Sequence, residues 1–119
     1  MTYEYFSIEQ DPVLFICQET SEQGIDPNFV ESLDELRRRC GFPFIITSGF
    51  RSEHHSIEVL KDEPGEHNKG AADIWCINSH KRYIILSHAF EMGFAGIGVD
   101  GDFIHVDKRT TTLRCWVYK

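Results

Sequence analysis

Two short histidine–aspartate clusters in the second half of the chain hold the residue types from which a metal centre is built. The first runs Glu66-His67-Asn68-Lys69-Gly70-Ala71-Ala72-Asp73-Ile74 and the second Asp102-Phe103-Ile104-His105-Val106-Asp107. His67, Asp73 and His105 together offer two imidazoles and one carboxylate. Three protein ligands with a fourth position open to water is the arrangement of a catalytic zinc rather than a structural one. Gly70, Ala71 and Ala72 are small, so the backbone can fold tightly between His67 and Asp73. Such a centre also needs a base to take a proton from water. Asp102 is the expected base. It stands three residues before His105, which in a strict strand would put it on the opposite face, but it abuts a turn, where alternation breaks. Asp107 shares the face of His105 and is the alternative, either as base or as the carboxylate that fixes an imidazole tautomer. Arg51, in Ser48-Gly49-Phe50-Arg51-Ser52, can form a fork to a carboxylate or polarise a scissile carbonyl. The pattern predicts a metal-dependent hydrolase.

The elements that must position these groups are legible in part. Phe6 and Val13 to Ile16 read as a short strand or tucked arm, followed by a polar loop from Gln18 to Gly24. Asp26-Pro27 starts a helix as N-cap and first helical residue. Phe29, Val30, Leu33 and Leu36 repeat at helical spacing, Arg37-Arg38-Arg39 suit the last turn, and Gly41 stops it. Phe44 to Thr47 reads as a buried strand. Residues 52–70, with the turn pair Pro64-Gly65, form a loop long enough to expect function from it. Ala71 to Ile77 is a strand that would carry Asp73 on a rigid platform. Ser79 caps a helix to Met92, with Tyr83, Leu86, Ala89 and Phe90 as its apolar face and Gly93 as its stop. Gly96 to Val99 and Phe103 to Val106 form a hairpin across Asp100-Gly101, the dipeptide most favoured in tight hairpin turns. His105 then lies mid-strand, with Ile104 and Val106 turned to the core. A strand from Leu113 to Tyr118 closes the sheet. The class is α+β, a small antiparallel sheet with flanking helices.

Bulk properties narrow the function. The 119 residues make one domain, with residues 1–24 as an N-terminal arm. Its 41% hydrophobic share is that of a packed protein. A net charge of −7 argues against nucleic acid as a partner, because phosphate contact needs a basic face. No apolar run approaches the roughly 20 residues that span a bilayer, so no membrane insertion is expected. The N-terminus carries neither the basic nor the apolar region of a secretory signal, which predicts a cytoplasmic protein. Cys17, Cys40, Cys76 and Cys115 are widely spaced with no Cys-x-x-Cys pair, the pattern of free thiols in a reducing compartment.

From about Ile25 to the C-terminus these residues resemble the zinc D-alanyl-D-alanine carboxypeptidase and L-alanyl-D-glutamate endopeptidase family, with its hedgehog/DD-peptidase fold. The likeness comprises Ile25-Asp26-Pro27, Leu33 to Arg37, Thr47 to Ser52, His67-x-x-Gly70 leading to Ala72-Asp73-Ile74, Gly96-Ile97-Gly98, and Phe103 to Asp107. It implies that His67, Asp73 and His105 bind zinc, that Asp102 is the general base, and that Arg51 binds substrate and steadies the oxyanion. It also implies peptidoglycan stem peptides as substrate, with either the D-Ala-D-Ala or the L-Ala-D-Glu bond cut. Two positions depart from the family pattern. Five residues separate His67 from Asp73 where the family usually has six, and Gly65 replaces the expected serine two residues before the histidine. His54 or His55 is therefore an alternative ligand. The small size and absent signal resemble phage or prophage peptidases that reach the wall after a holin opens the membrane, and a monomer is expected. The rival expectation is a non-catalytic, zinc-stabilised domain for cell-wall binding or virion assembly. A signalling domain like the hedgehog relatives fits less well, since no secretion signal is seen.

Overall fold

The longest stretch of local sequence signal folds as its residues dictate. In the computed structural model, which describes residues 2–56, 60 and 65–118, helix α2 spans Pro27–Cys40. Asp26 caps it by accepting the Asn28 N–H at 2.9 Å. Gly41 ends it in the left-handed conformation at φ 78°, a geometry that favours glycine. Phe29, Val30, Leu33 and Leu36 are buried and Arg37 to Arg39 occupy the last turn.

Five strands make one sheet: β1 Ile46–Ser48, β2 Ala71–Trp75, β3 Gly96–Val99, β4 Phe103–Asp107 and β5 Arg114–Val117, in the order β1-β2-β4-β3-β5. The fold is α+β, as expected. One pairing differs from the expected antiparallel sheet, since β5 runs parallel to β3, with Gly96 opposite Arg114. The reason is connection length. Strand β4 ends at Asp107 beside Gly96, the start of β3, and the short loop 108–113 leaves the chain at that same end, so β5 must run alongside β3. The β3–β4 connection spans residues 100–102, so Asp102 is part of the turn rather than its neighbour.

Both α2 and α3 (Ser79–Met92) lie on one face of the sheet. Ala72, Ile74, Ile97, Ile104 and Val106 point into the core they share with Leu33, Leu36, Ile85 and Ala89. The opposite face carries Asp73, Trp75, Phe103, His105 and Asp107, as the two-residue period requires.

Several expectations for the flanking pieces are corrected. Val13 to Ile16 is not a strand: Pro12–Phe15 form a single helical turn, α1, started by proline, and Ile16 makes one isolated bridge to Gln23. The tucked arm itself is present, with Phe6, Leu14 and Phe15 buried in the core. Strand β1 begins two residues later than expected and lies at the sheet edge, where Ile46 is buried but Ile45 is exposed. The N-cap of α3 is Asn78, which accepts the Lys81 N–H at 2.9 Å, rather than Ser79. Tyr83 and Phe90 of α3 face outward while Ile85 and Ala89 are buried. Apolar residues surround this helix, so periodicity alone does not choose its inner face. Part of the 52–70 loop, including Pro64 of the expected turn, falls outside the described residues.

Candidate metal centre

Two of the three expected ligands sit directly opposite each other on adjacent strands. Asp73 of β2 pairs with His105 of β4, bracketed by the core pairs Ala72–Val106 and Ile74–Ile104. His105 Nδ1 lies 2.9 Å from Asp73 Oδ1. The third arrives from a short 3₁₀ turn, Glu66–Asn68, which feeds straight into β2. His67 Nε2 lies 3.6 Å from the same Asp73 Oδ1. Ligand atoms of the three residues all lie within 4.8 Å of one another. The shortened spacing to Asp73 therefore does not stop His67 from reaching the group.

The turn is held by its surroundings. Arg51 N–H donates to the His67 carbonyl at 2.8 Å, Asn68 Nδ2 to the Arg51 carbonyl at 3.0 Å, and Asp26 N–H to the Lys69 carbonyl at 2.9 Å. Gly70 packs where a Cβ would stand 2.5 Å from that of Phe29, so only glycine lets the turn dock on α2. On the other side, the segment after β1 supplies the Gly49 carbonyl, 2.7 Å from His67 Nδ1. A register shift between Ile46 and Ser48 redirects this segment. Phe50 N–H then donates to the Leu14 carbonyl, and a Cβ on Gly49 would come within 2.4 Å of the Leu14 Cα. The arm, strand β1 and the histidine turn are thus layered backbone on backbone.

The hydrogen-bond partners assign the tautomers. A carbonyl can only accept, so His67 carries its proton on Nδ1, leaving the Nε2 lone pair turned to Asp73. His105 Nε2 lies 2.6 Å from Asp107 Oδ2, which places its proton there when the ring is neutral and leaves Nδ1 turned inward. Two lone pairs and a carboxylate oxygen then converge, and three acceptors repel one another unless a cation lies among them. For a tetrahedral ion with bonds of about 2.0–2.1 Å, neighbouring ligand atoms stand roughly 3.3 Å apart; the separations of 2.9 and 3.6 Å bracket that value. The donor set fits zinc.

The electrostatics agree. Burial would raise the Asp73 carboxyl, but the His105 and His67 rings facing it, when they carry protons, outweigh burial and hold the group down at about 2. Burial likewise disfavours the charged form of His105, yet Asp107 and Asp73 raise its pKa above the ordinary value. When His105 is protonated, its Nδ1–H faces Asp73 and relieves the repulsion between them. Burial pushes Asp107 upward, and Arg109 and His105 more than reverse this, keeping its carboxyl well below the usual carboxylate range.

The remaining expected residues are spread around this group. Asp107 is wholly buried and bound to His105, in the place of a carboxylate that fixes a tautomer. Asp102 is exposed in the turn before β4, its backbone N–H bound to the Asp100 carboxylate, and its own carboxylate lies outside the three-residue ligand group. Arg51 lines a shallow cavity of about 180 Å³ with Ser48, Gly49 and His55. His54 and His55 are not brought to the group. His54 Nδ1 pairs with Glu22 at 2.9 Å and His55 Nε2 with Glu19 at 3.2 Å. The four cysteines are free, and only Cys115 is exposed.

Residues that sequence reading missed lie C-terminal to β4. Arg109 grips Asp107, and Trp116 of β5 packs on His105 with ring centroids 5.3 Å apart. Trp116 has no local signal, because its role depends on β5 lying beside β3. Gly96 and Gly98 could have flagged the region. Cβ atoms there would stand 2.3 Å from the Asp107 carboxylate and 2.6 Å from the Trp116 indole nitrogen, so both glycines make room on the face that carries the site.

No helix is long and apolar enough to cross a membrane among the described residues. No curated protein and no solved structure matches the chain. The model of the Peptidase M15 family matches residues 7–107, which span the arm from Ser7, the histidine turn and both strands of the His–Asp pair. With that match over most of its length, and with the two-histidine, one-carboxylate group that such chemistry needs, the chain belongs to the M15 family of zinc peptidases.

Proposed function

We propose that this protein hydrolyses a peptide bond in peptidoglycan stem peptides, at either the D-Ala-D-Ala or the L-Ala-D-Glu linkage, and that it derives from a phage or prophage. The observation that carries the reading is the convergence of His67 Nε2, Asp73 Oδ1 and His105 Nδ1, each imidazole with its outer nitrogen already engaged by the protein. Zinc held there would supply Lewis acidity and ease the deprotonation of water. Asp102, exposed in the turn before β4, is the proposed proton acceptor. Arg51, its backbone fastened to His67, is proposed to steady the substrate carbonyl or a substrate carboxylate. The two roles for Arg51 separate kinetically. Loss of an oxyanion contact lowers kcat, whereas loss of a carboxylate anchor shared by ground and transition states raises KM.

The test is mass spectrometry of purified muropeptides incubated with the zinc-loaded protein. Release of terminal D-alanine or a cut after L-alanine is expected, and the product masses identify the bond. Zinc binding with no cleavage of any muropeptide would refute the peptidase reading and favour a zinc-stabilised wall-binding or virion-assembly domain.

A further inference from the structure

We propose that Arg109 is a positioning residue for the metal centre, acting through Asp107 on the ligand His105. The proposal rests on the reading that His67, Asp73 and His105 hold zinc. Arg109 stands two residues beyond the span that the family match covers, so membership does not assign it.

The geometry is closed on every side. Asp107 has no exposed surface. Its Oδ1 accepts the backbone N–H of Arg109 at 3.0 Å and Nε at 2.9 Å, while Oδ2 accepts Nη2 of Arg109 at 2.7 Å and lies 2.6 Å from His105 Nε2. Each carboxylate oxygen thus has two donors, and the plane of the carboxylate is fixed by a two-pronged fork. A carboxylate fixed in this way presents one lone pair to His105 and holds the ring with Nδ1 inward, towards Asp73. The guanidinium is held in its own turn. It lies over Trp116 at 5.0 Å, and Trp116 also packs against His105 with ring centroids 5.3 Å apart. Arg109 and Trp116 thus both bear on the imidazole, the first through Asp107 and the second directly.

Charge explains why arginine suits the place. A buried carboxylate alone beside a zinc ligand is costly in a dry site, and its counter-ion removes that cost. The pair is neutral as a unit, so Asp107 orients His105 without adding net charge to the centre. Lysine supplies one point charge and cannot form the fork.

The experiment measures zinc affinity by competition with a chromophoric chelator in wild type, Arg109→Ala, Arg109→Lys, Asp107→Asn and the double variant Arg109→Ala/Asp107→Asn. The imidazole ¹⁵N spectrum of each zinc-loaded protein is recorded alongside. Arg109→Ala should weaken zinc binding by roughly 10–100-fold, the usual cost of losing a partner behind a metal ligand. Arg109→Lys should restore little of it. The double variant should be no weaker than Asp107→Asn, since an arginine acting through Asp107 has nothing further to lose. The His105 signal of wild type should show the proton on Nε2, and that signature should blur in Arg109→Ala, which a merely structural role would not cause. Wild-type zinc affinity in Arg109→Ala overturns the proposal, as do losses that simply add in the double variant. Should Arg109→Ala fail to fold, Arg109→Lys decides: full affinity there overturns it. A wild-type protein that takes up no zinc is a different result, which overturns the metal reading and this proposal with it.

Discussion

The candidate metal centre has two unlike sides. Asp73 and His105 come from a hydrogen-bonded strand pair whose register is fixed by the core residues on its opposite face, so neither ligand can shift without moving Ile74, Ile104 and Val106. His67 comes from a single 3₁₀ turn with no buried residue of its own. It is placed by contacts with other segments: the Gly49 carbonyl, the Arg51 and Asp26 amides and the packing of Gly70 on Phe29. One side is positioned by the sheet, the other by the loops that the sheet brings together. The difference teaches that a ligand set can be half preformed by secondary structure and half assembled by tertiary contact.

The largest expected effects test this division directly. His105→Ala and His67→Ala should both abolish zinc retention and turnover. They should part in the metal-free protein. His105→Ala leaves Asp107 buried without one of its partners and should cost about 1–3 kcal/mol of unfolding free energy, whereas His67→Ala, which gives up one hydrogen bond to a loop carbonyl, should cost only about 0.5–1.5 kcal/mol. Urea unfolding of the metal-free proteins measures both, and equal losses would erase the distinction between the two sides.

Next in size is the proposed base. Asp102→Ala should keep zinc bound and reduce turnover by roughly 10²–10⁴-fold. Asp107→Ala should weaken zinc binding itself. Near wild-type turnover in Asp102→Ala would move the proton-accepting role away from the β3–β4 turn.

Glycine substitutions can then damage one side at a time. In Gly49→Ala the new methyl meets the Leu14 backbone and displaces the carbonyl that orients His67; in Gly96→Ala it meets the Asp107 carboxylate behind His105. Each should cost about 1–3 kcal/mol as an overpacked site and weaken zinc binding. Imidazole spectra should show His67 disturbed in the first and His105 in the second. Crossed assignments would contradict the two-sided picture.

The smallest effect concerns pH. In the metal-free protein Asp73 is held at about 2 against an ordinary 3.8, so its contribution, roughly 2 kcal/mol, is present above pH 3.8 and lost as pH falls towards 2. His105 is shifted the other way. Its contribution is present below 6.5 and lost as pH rises through its elevated folded value. Metal-free stability from these two groups should therefore peak between about pH 4 and 6.5. Zinc should add most stability above that window, because its ligands must be deprotonated. Thermal unfolding scans with and without zinc would show it, and a metal-free protein that grows more stable above pH 7 would contradict the assignment.

What the sequence by itself determined is everything set by neighbours a few residues apart. Asp26, Pro27 and Gly41 bound α2 because caps act on backbone groups within one turn. Asp100-Gly101 marks the β3–β4 hairpin, and the spacing of His105 and Asp107 puts both on one strand face. The one- or two-residue errors at β1 and α3 fall at element ends, where several residues can serve as boundary. Tertiary structure alone decided which distant segments meet. It turned α3 so that Ile85 rather than Phe90 faces inward, and it made β5 parallel because the chain left β4 at the wrong end to return. It also put the Gly49 carbonyl behind His67, and the Asp107–Arg109 pair and Trp116 against His105. None of these contacts leaves a periodic trace in the residues that make it. Each joins groups whose approach depends on the whole sheet, so the three candidate ligands could be picked out in the sequence while most of what holds them in place could not.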